Sequence, residues 1–145
     1  MIQPRRVLVP VNGSSTDEDV ISLACGLAKR TRAEVVAMYV IEVNRKLPLD
    51  VDLPSEASRG EEALERAERQ ADGLGVELKT ELVQARDVGT AIVDEATARQ
   101  VDLIILGMPY RKKFGEFDFG KTVPYVLKHA RCMVWVSREP MPATS

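Results

Sequence analysis

With 145 residues, 45% hydrophobic and 29% charged, the chain has the size and make-up of one globular domain able to bury a core unaided. A formal net charge of −2 gives no electrostatic case for nucleic acid, whose binders usually show a basic stripe, and no apolar run approaches transmembrane length. Two distant cysteines, Cys25 and Cys132, lack metal-ligand spacing and read as reduced and structural.

The opening Met1-Ile2-Gln3-Pro4-Arg5-Arg6 leads directly into Val7-Leu8-Val9-Pro10-Val11, an apolar run that predicts a buried strand. No signal-peptide pattern precedes it, so the expected location is the cytoplasm, without insertion into a membrane. Ser15-Thr16-Asp17-Glu18 matches a capping box, and the stripe Val20, Leu23, Ala24, Leu27, Ala28 predicts the first helix behind it. The run from Val35 to Ile41 predicts a second strand, with Tyr39 in the core or an interface. From Glu42 to Pro54, with Pro48 and no steady pattern, a mobile loop is expected.

Ala57, Gly60, Leu64, Ala67, Ala71 and Leu74 recur at helical spacing and predict the buried face of a second helix, ended by Gly73 and Gly75. Its solvated face carries Glu61, Glu62, Glu65 and Glu68 with Arg66 and Arg69. Val76 to Val83 alternates as a less buried strand would. Asp87 is the expected N-cap of a third helix that buries Val88, Ala91, Ile92 and Ala96. Leu103-Ile104-Ile105-Leu106 predicts the fourth long strand, and a fourth helix should bury Val123, Val126, Leu127 and Ala130. His129, near the end of that helix, suits a capping or surface role, since no nucleophile or carboxylate is placed beside it. Met133-Val134-Trp135-Val136 forms the last strand. This alternation predicts an α/β fold, a single domain over 1–138 built on an open parallel sheet with right-handed crossovers, followed by a flexible tail over 139–145.

The segment between the fourth strand and fourth helix holds the candidate chemistry. Gly107 closes the strand, Arg111, Lys112 and Lys113 make the loop basic, and Gly120-Lys121-Thr122 opens the helix. A strand, a glycine-punctuated basic loop and a helix N-terminus together suit an anion such as phosphate. Gly115 to Thr122 also spells the P-loop pattern. Its setting argues otherwise: Met108 to Phe114 separate it from the strand, Phe117 and Phe119 are bulky, and no strand bearing a Mg²⁺ carboxylate follows.

Four stretches together, Val7 to Ser15, Met38 to Ile41, Val101 to Gly107 and Arg131 to Val136, resemble the universal stress protein family over nearly the whole chain. The resemblance implies an open five-stranded sheet in the order 3-2-1-4-5 with two helices on each side, and a homodimer joined through Met133, Val134, Trp135 and Val136. In the family's nucleotide-binding branch the last loop reads glycine, two residues, glycine, nine residues, glycine, then serine or threonine. Gly107 and Gly120 match its first and last glycines, whereas Tyr110 replaces the middle one and Lys121 the hydroxyl residue, which follows as Thr122. Asn12 stands where that branch usually has aspartate, and Val40 where the backbone meets adenine.

For that strand order the ligand crevice lies between the first and fourth strands. Adenine and ribose are expected towards Pro10, Asn12 and Val40 and phosphates towards Gly120, Lys121 and Thr122, with Gly13, Ser14, Gly107 and Tyr110 completing the expected nucleotide-binding set. Tyr110 penalises the positive φ and close backbone approach that glycine allows, while Lys121 can meet phosphate as a point charge. The leading function is thus a regulatory domain that binds ATP or a related adenine nucleotide, with Mg²⁺ accompanying the phosphates and no metal ligated by protein. No catalytic residue is assigned, so slow ATP hydrolysis is the most turnover expected. Two rivals are a dimeric interaction protein with Tyr110 closing the crevice, and an enzyme of the wider adenine-nucleotide α-hydrolase-like class.

Overall fold

Five parallel strands, β1 (Arg6–Pro10), β2 (Glu34–Glu42), β3 (Leu78–Ala85), β4 (Leu103–Met108) and β7 (Met133–Arg138), form the sheet in a computed structural model that describes residues 3–143. Their order is β3-β2-β1-β4-β7. This is the expected arrangement, because β5 (Lys112–Lys113) and β6 (Glu116–Phe117) form a separate small antiparallel hairpin. Met1, Ile2 and the last two residues of the expected tail, Thr144 and Ser145, lie outside the described residues.

Helices cover both faces, which is why the central strands are continuously apolar. Val7, Val9, Leu103 and Ile105 point towards α1 (Thr16–Thr31) and α2 (Pro54–Gly73). Leu8, Ile104 and Leu106 point towards α3 (Val88–Ala98) and α4 (Thr122–His129). Alternation along a strand thus divides one apolar run between two cores. β1 pairs with β2 as far as Pro10, but with β4 only at Val7–Leu103 and Leu8–Ile104. The two central strands therefore part towards their carboxyl ends, and the opening between them is the cleft described below.

Several local expectations change. The capping box does not form: Ser15 lies in the helical region (φ −61°, ψ −21°) and makes no side-chain cap. Its hydroxyl instead donates to Glu139 Oε2 at 3.5 Å. Leu127 is 53% exposed and Leu23 is exposed too, because each sits at the edge of its helix's buried stripe, while Leu74 is exposed just past the end of α2. Val88, Ala91 and Ala130 are only partly buried, packed against the core on the α3 and α4 face. β3 begins at Leu78, two residues later than the alternation suggests.

The loop between β2 and α2 does not run free. Gln84 Nε2 donates to the Leu49 and Val51 carbonyls, and Arg86 Nη1 to those of Asn44 and Leu47. The expected tail is likewise tied at its start, where Glu139 N donates to Met108 O at 2.8 Å. Cys25 is buried and Cys132 half-buried, both as free thiols, and burial pushes both above the ordinary thiol range. Asp87 does cap α3, its Oδ1 accepting from Thr90 N at 2.9 Å.

Candidate functional site

A cleft of about 410 Å³ opens where β1 and β4 part. One wall is Pro10, Val11 and Asn12 with Thr16 and Asp17 from the start of α1. The other is Leu106 to Pro109, Arg111 and Asp118 to Val123. Met38, Tyr39 and Val40 from β2 and Val88 and Ile92 from α3 close its inner end. That end is mainly apolar, while Asn12, Asp17, Arg111, Asp118, Lys121 and Thr122 supply the polar side.

The β1–α1 turn is short and satisfied from within. Asp17 accepts from Asn12 N at 3.1 Å and Gly13 N at 2.7 Å, and Asn12 Oδ1 accepts from Ser14 N at 3.0 Å. Ser14 Oγ and Thr16 Oγ1 share a hydrogen bond of 2.9 Å, and Thr16 is buried. Burial pushes the Asp17 carboxyl above its ordinary value, against the opposing pull of the Asn12 and Gly13 N–H groups and of Arg66. Gly107 lets this turn sit against β4: a Cβ there would lie 2.8 Å from Thr16 Oγ1 and 2.9 Å from Thr16 Cβ. Its glycine is thus required by helix–strand packing, whatever the cleft holds.

The β4–α4 segment is long and exposed. After Tyr110 the chain forms the hairpin, turned by Phe114 (φ 54°) and Gly115 (φ 80°). Gly115 is therefore a turn glycine, and the P-loop spelling has no P-loop shape. Tyr110 lies outside the cleft lining. Its ring lies 5.3 Å from Phe117, the Arg138 guanidinium sits 5.2 Å from its centroid, and its N–H donates to Glu139 Oε1 at 2.9 Å. The expectation that Tyr110 closes the crevice is corrected: the aromatic residue that this loop brings to the lining is Phe119, 60% exposed and edge-on to Phe117 at 4.8 Å.

Gly120, at φ 65°, turns the chain into α4, and its N–H donates to Asp118 Oδ1 at 3.1 Å. Lys121 occupies the N-cap position, where an ammonium has no lone pair to offer the first-turn N–H groups. Its Nζ lies 3.8 Å from Glu42 Oε1, across the cleft mouth at the end of β2. Asp87, held below the usual carboxylate range first by the Thr90 N–H, also feels Lys121.

Of the residues singled out from sequence, Pro10, Asn12, Val40, Gly107, Gly120, Lys121 and Thr122 converge on the cleft. Gly13, Ser14 and Tyr110 lie outside its lining. Arg111, read from sequence as part of the basic loop, also lines the cleft, whereas Asp17, Asp118, Phe119 and, at the mouth, Glu42 are groups that sequence reasoning did not assign to the site. The spacing Asp118-x-Gly120 just before a helix was the one available signal, since a short carboxylate can bond an N–H two residues on. Among the described residues no cluster of three or more His, Cys, Asp or Glu could hold a metal ion, and no helix is long and apolar enough to cross a membrane.

Comparison with known proteins agrees with this geometry. A family model described as the universal stress protein family matches residues 4–138. A universal stress protein of Methanocaldococcus jannaschii is 30% identical over 146 aligned positions, covering 94% of this chain and 83% of that protein. Among solved structures, the universal stress protein UspA of Lactobacillus plantarum superposes with a TM-score of 0.78 at 25% identity, over 95% of this chain and 100% of the other. The universal stress protein of Archaeoglobus fulgidus in complex with dAMP superposes at 0.73 with 18% identity, over 93% and 98%.

Proposed function

The chain belongs to the universal stress protein family, and we propose that its cleft between β1 and β4 binds ATP or a related adenine nucleotide as a regulatory ligand. One observation carries this reading: an apolar slot formed by Met38, Val40, Val88 and Ile92 leads directly to the first turn of α4. The slot suits the faces of a purine, and the helix start suits an anion attached to it. The cleft volume, about 410 Å³, falls within the range of about 300–1,000 Å³ common for small-molecule sites. The dAMP complex of the Archaeoglobus fulgidus neighbour supports the same ligand class.

In this reading adenine lies against Val40, ribose beside Asn12 and Pro10, and the phosphate end at Gly120, Lys121 and Thr122, with Gly107 shaping the wall between. Gly13, Ser14 and Tyr110 act through the loops and make no ligand contact. Mg²⁺ would arrive with the phosphates. No turnover is assigned, because the cleft lining has no histidine or cysteine and its two carboxylates, on Asp17 and Asp118, already accept backbone N–H groups. Two reduced thiols are in keeping with a cytoplasmic location.

The same proposal includes a homodimer through β7. That strand ends the sheet and presents Met133, Trp135 and Val136 to solvent, an apolar edge of the kind proteins usually cover. Sedimentation tests it: a monomer at every concentration overturns the dimer, and Trp135→Glu should dissociate one that forms.

Calorimetric titration with AMP and ATP tests the ligand. Saturable binding of one nucleotide per chain is expected, and Val40→Trp should abolish it while leaving the circular dichroism unchanged. Absence of binding at millimolar nucleotide would leave the dimeric interaction protein as the surviving reading. Release of phosphate at more than a trace rate would revive the enzyme.

A further inference from the structure

We infer that Asp118 is a selectivity residue of this cleft: its carboxylate stands in for a phosphate at the start of α4, so the site takes an adenine nucleoside or monophosphate in preference to a triphosphate. The inference rests on the nucleotide reading above and adds which members of that class are admitted.

Backbone N–H groups around the polar end of the cleft are already served by this chain's own carboxylates. Asp17 takes those of Asn12 and Gly13, Asp118 that of Gly120, and Glu139 that of Tyr110. The Gly120 N–H lies two residues before the first residue of α4, so Asp118 stands beside the helix start where a phosphate would settle. A phosphate placed there must displace the Asp118 side chain or lie beside its negative charge.

Nor do the side chains leave a surplus of positive charge. Arg111 and Lys121 line the cleft, but so do Asp17 and Asp118. Lys121 leans 3.8 Å from Glu42, and Asp87 lies close enough to feel the same ammonium. Four carboxylates therefore stand against three cations, since Arg66 also acts on Asp17. Each added phosphate brings more negative charge to a balanced or acidic rim, so affinity should fall along the series from monophosphate to triphosphate. The Tyr110 N–H is likewise not offered to a longer chain of phosphates, since Glu139 accepts it and the ring is held beside Phe117 and Arg138. The purine slot, by contrast, carries no charge and is indifferent to phosphate number.

Calorimetry with adenosine, AMP and ATP, each with and without Mg²⁺, on the wild type, Asp118→Asn and Asp118→Ala tests this. The asparagine keeps an acceptor for the Gly120 N–H, which separates charge from loop shape. The wild type should bind AMP about tenfold more tightly than ATP. Both variants should gain about tenfold for ATP while adenosine affinity stays within about twofold. A wild type that takes ATP as tightly as AMP overturns the inference. So does ATP affinity that is unchanged or weakened in both variants, the weakened case with Mg²⁺ marking Asp118 as a metal partner instead. Should adenosine, AMP and ATP all fail to bind all three proteins, the nucleotide reading falls and takes the inference with it. ATP binding seen only in the variants supports it.

Discussion

Two loops face each other across the cleft and begin helices by opposite means. The β1–α1 turn is short, its N–H groups are bound by Asp17 and Asn12, and the buried Thr16 wedges it against Gly107. The β4–α4 segment is long, projects a hairpin with Phe114 at 94% exposure, and meets α4 through an exposed Asp118–Gly120 contact and a lysine that cannot cap. One side of the cleft is a rigid wall locked by packing. The other is a surface loop whose polar groups can exchange partners. A site assembled from one of each can hold a purine in a fixed slot while its anion end adjusts.

Substitutions should follow this contrast. Gly107→Val drives methyl groups into Thr16 at the rigid wall and should destabilise the fold by about 2–3 kcal/mol in urea denaturation. A smaller loss than for Gly120→Ala would reverse the assignment of wall and loop. Next, Asp17→Ala strands two backbone N–H groups and should remove about 1–2 kcal/mol at neutral pH. Asp17 also has a pH signature. Its folded value is raised above 3.8, so its stabilisation relative to Asp17→Asn is full below that value and fades as pH rises through the folded one. Denaturation of both proteins at about pH 3.5 and about pH 6.5 reads the sign, and a gap that widens with pH contradicts it.

On the loop side the effects shrink. Gly120→Ala meets no neighbour, since an added Cβ there finds open space, but its φ of 65° should still cost about 1 kcal/mol. At the hairpin tip, Phe114 adopts a positive φ in a two-residue turn that favours Asn-Gly. Phe114→Asn should therefore raise stability by about 0.5 kcal/mol, checked by the same urea transitions, and a loss would mean the exposed ring makes a stabilising contact.

Much of this molecule is legible residue by residue. The runs at Val7, Val35 and Leu103 become central strands because only a strand buried on both faces tolerates continuous aliphatic residues. Asp87 caps α3 as read, since the N–H it needs lies three residues on in the same turn. The capping box at Ser15 fails although its spelling is right: Glu139, from the far end of the chain, competes for the Ser15 hydroxyl, and Ser15 itself turns helical. Spacing places Leu127 in the core, yet α4 buries Val123 and Val126 and leaves that position turned outwards.

The strands, the helices and the sheet's burial on both faces were thus written in periodic patterns, because burial on one or two faces imposes a period that any neighbour would enforce. The strand order, and the cleft position that follows from it, came from the family resemblance. The partners of Asp17, Asp118, Glu139 and Tyr110 came only with the folded chain. A carboxylate can satisfy any N–H within its reach, and which donors lie there depends on how loops far apart in sequence are brought side by side.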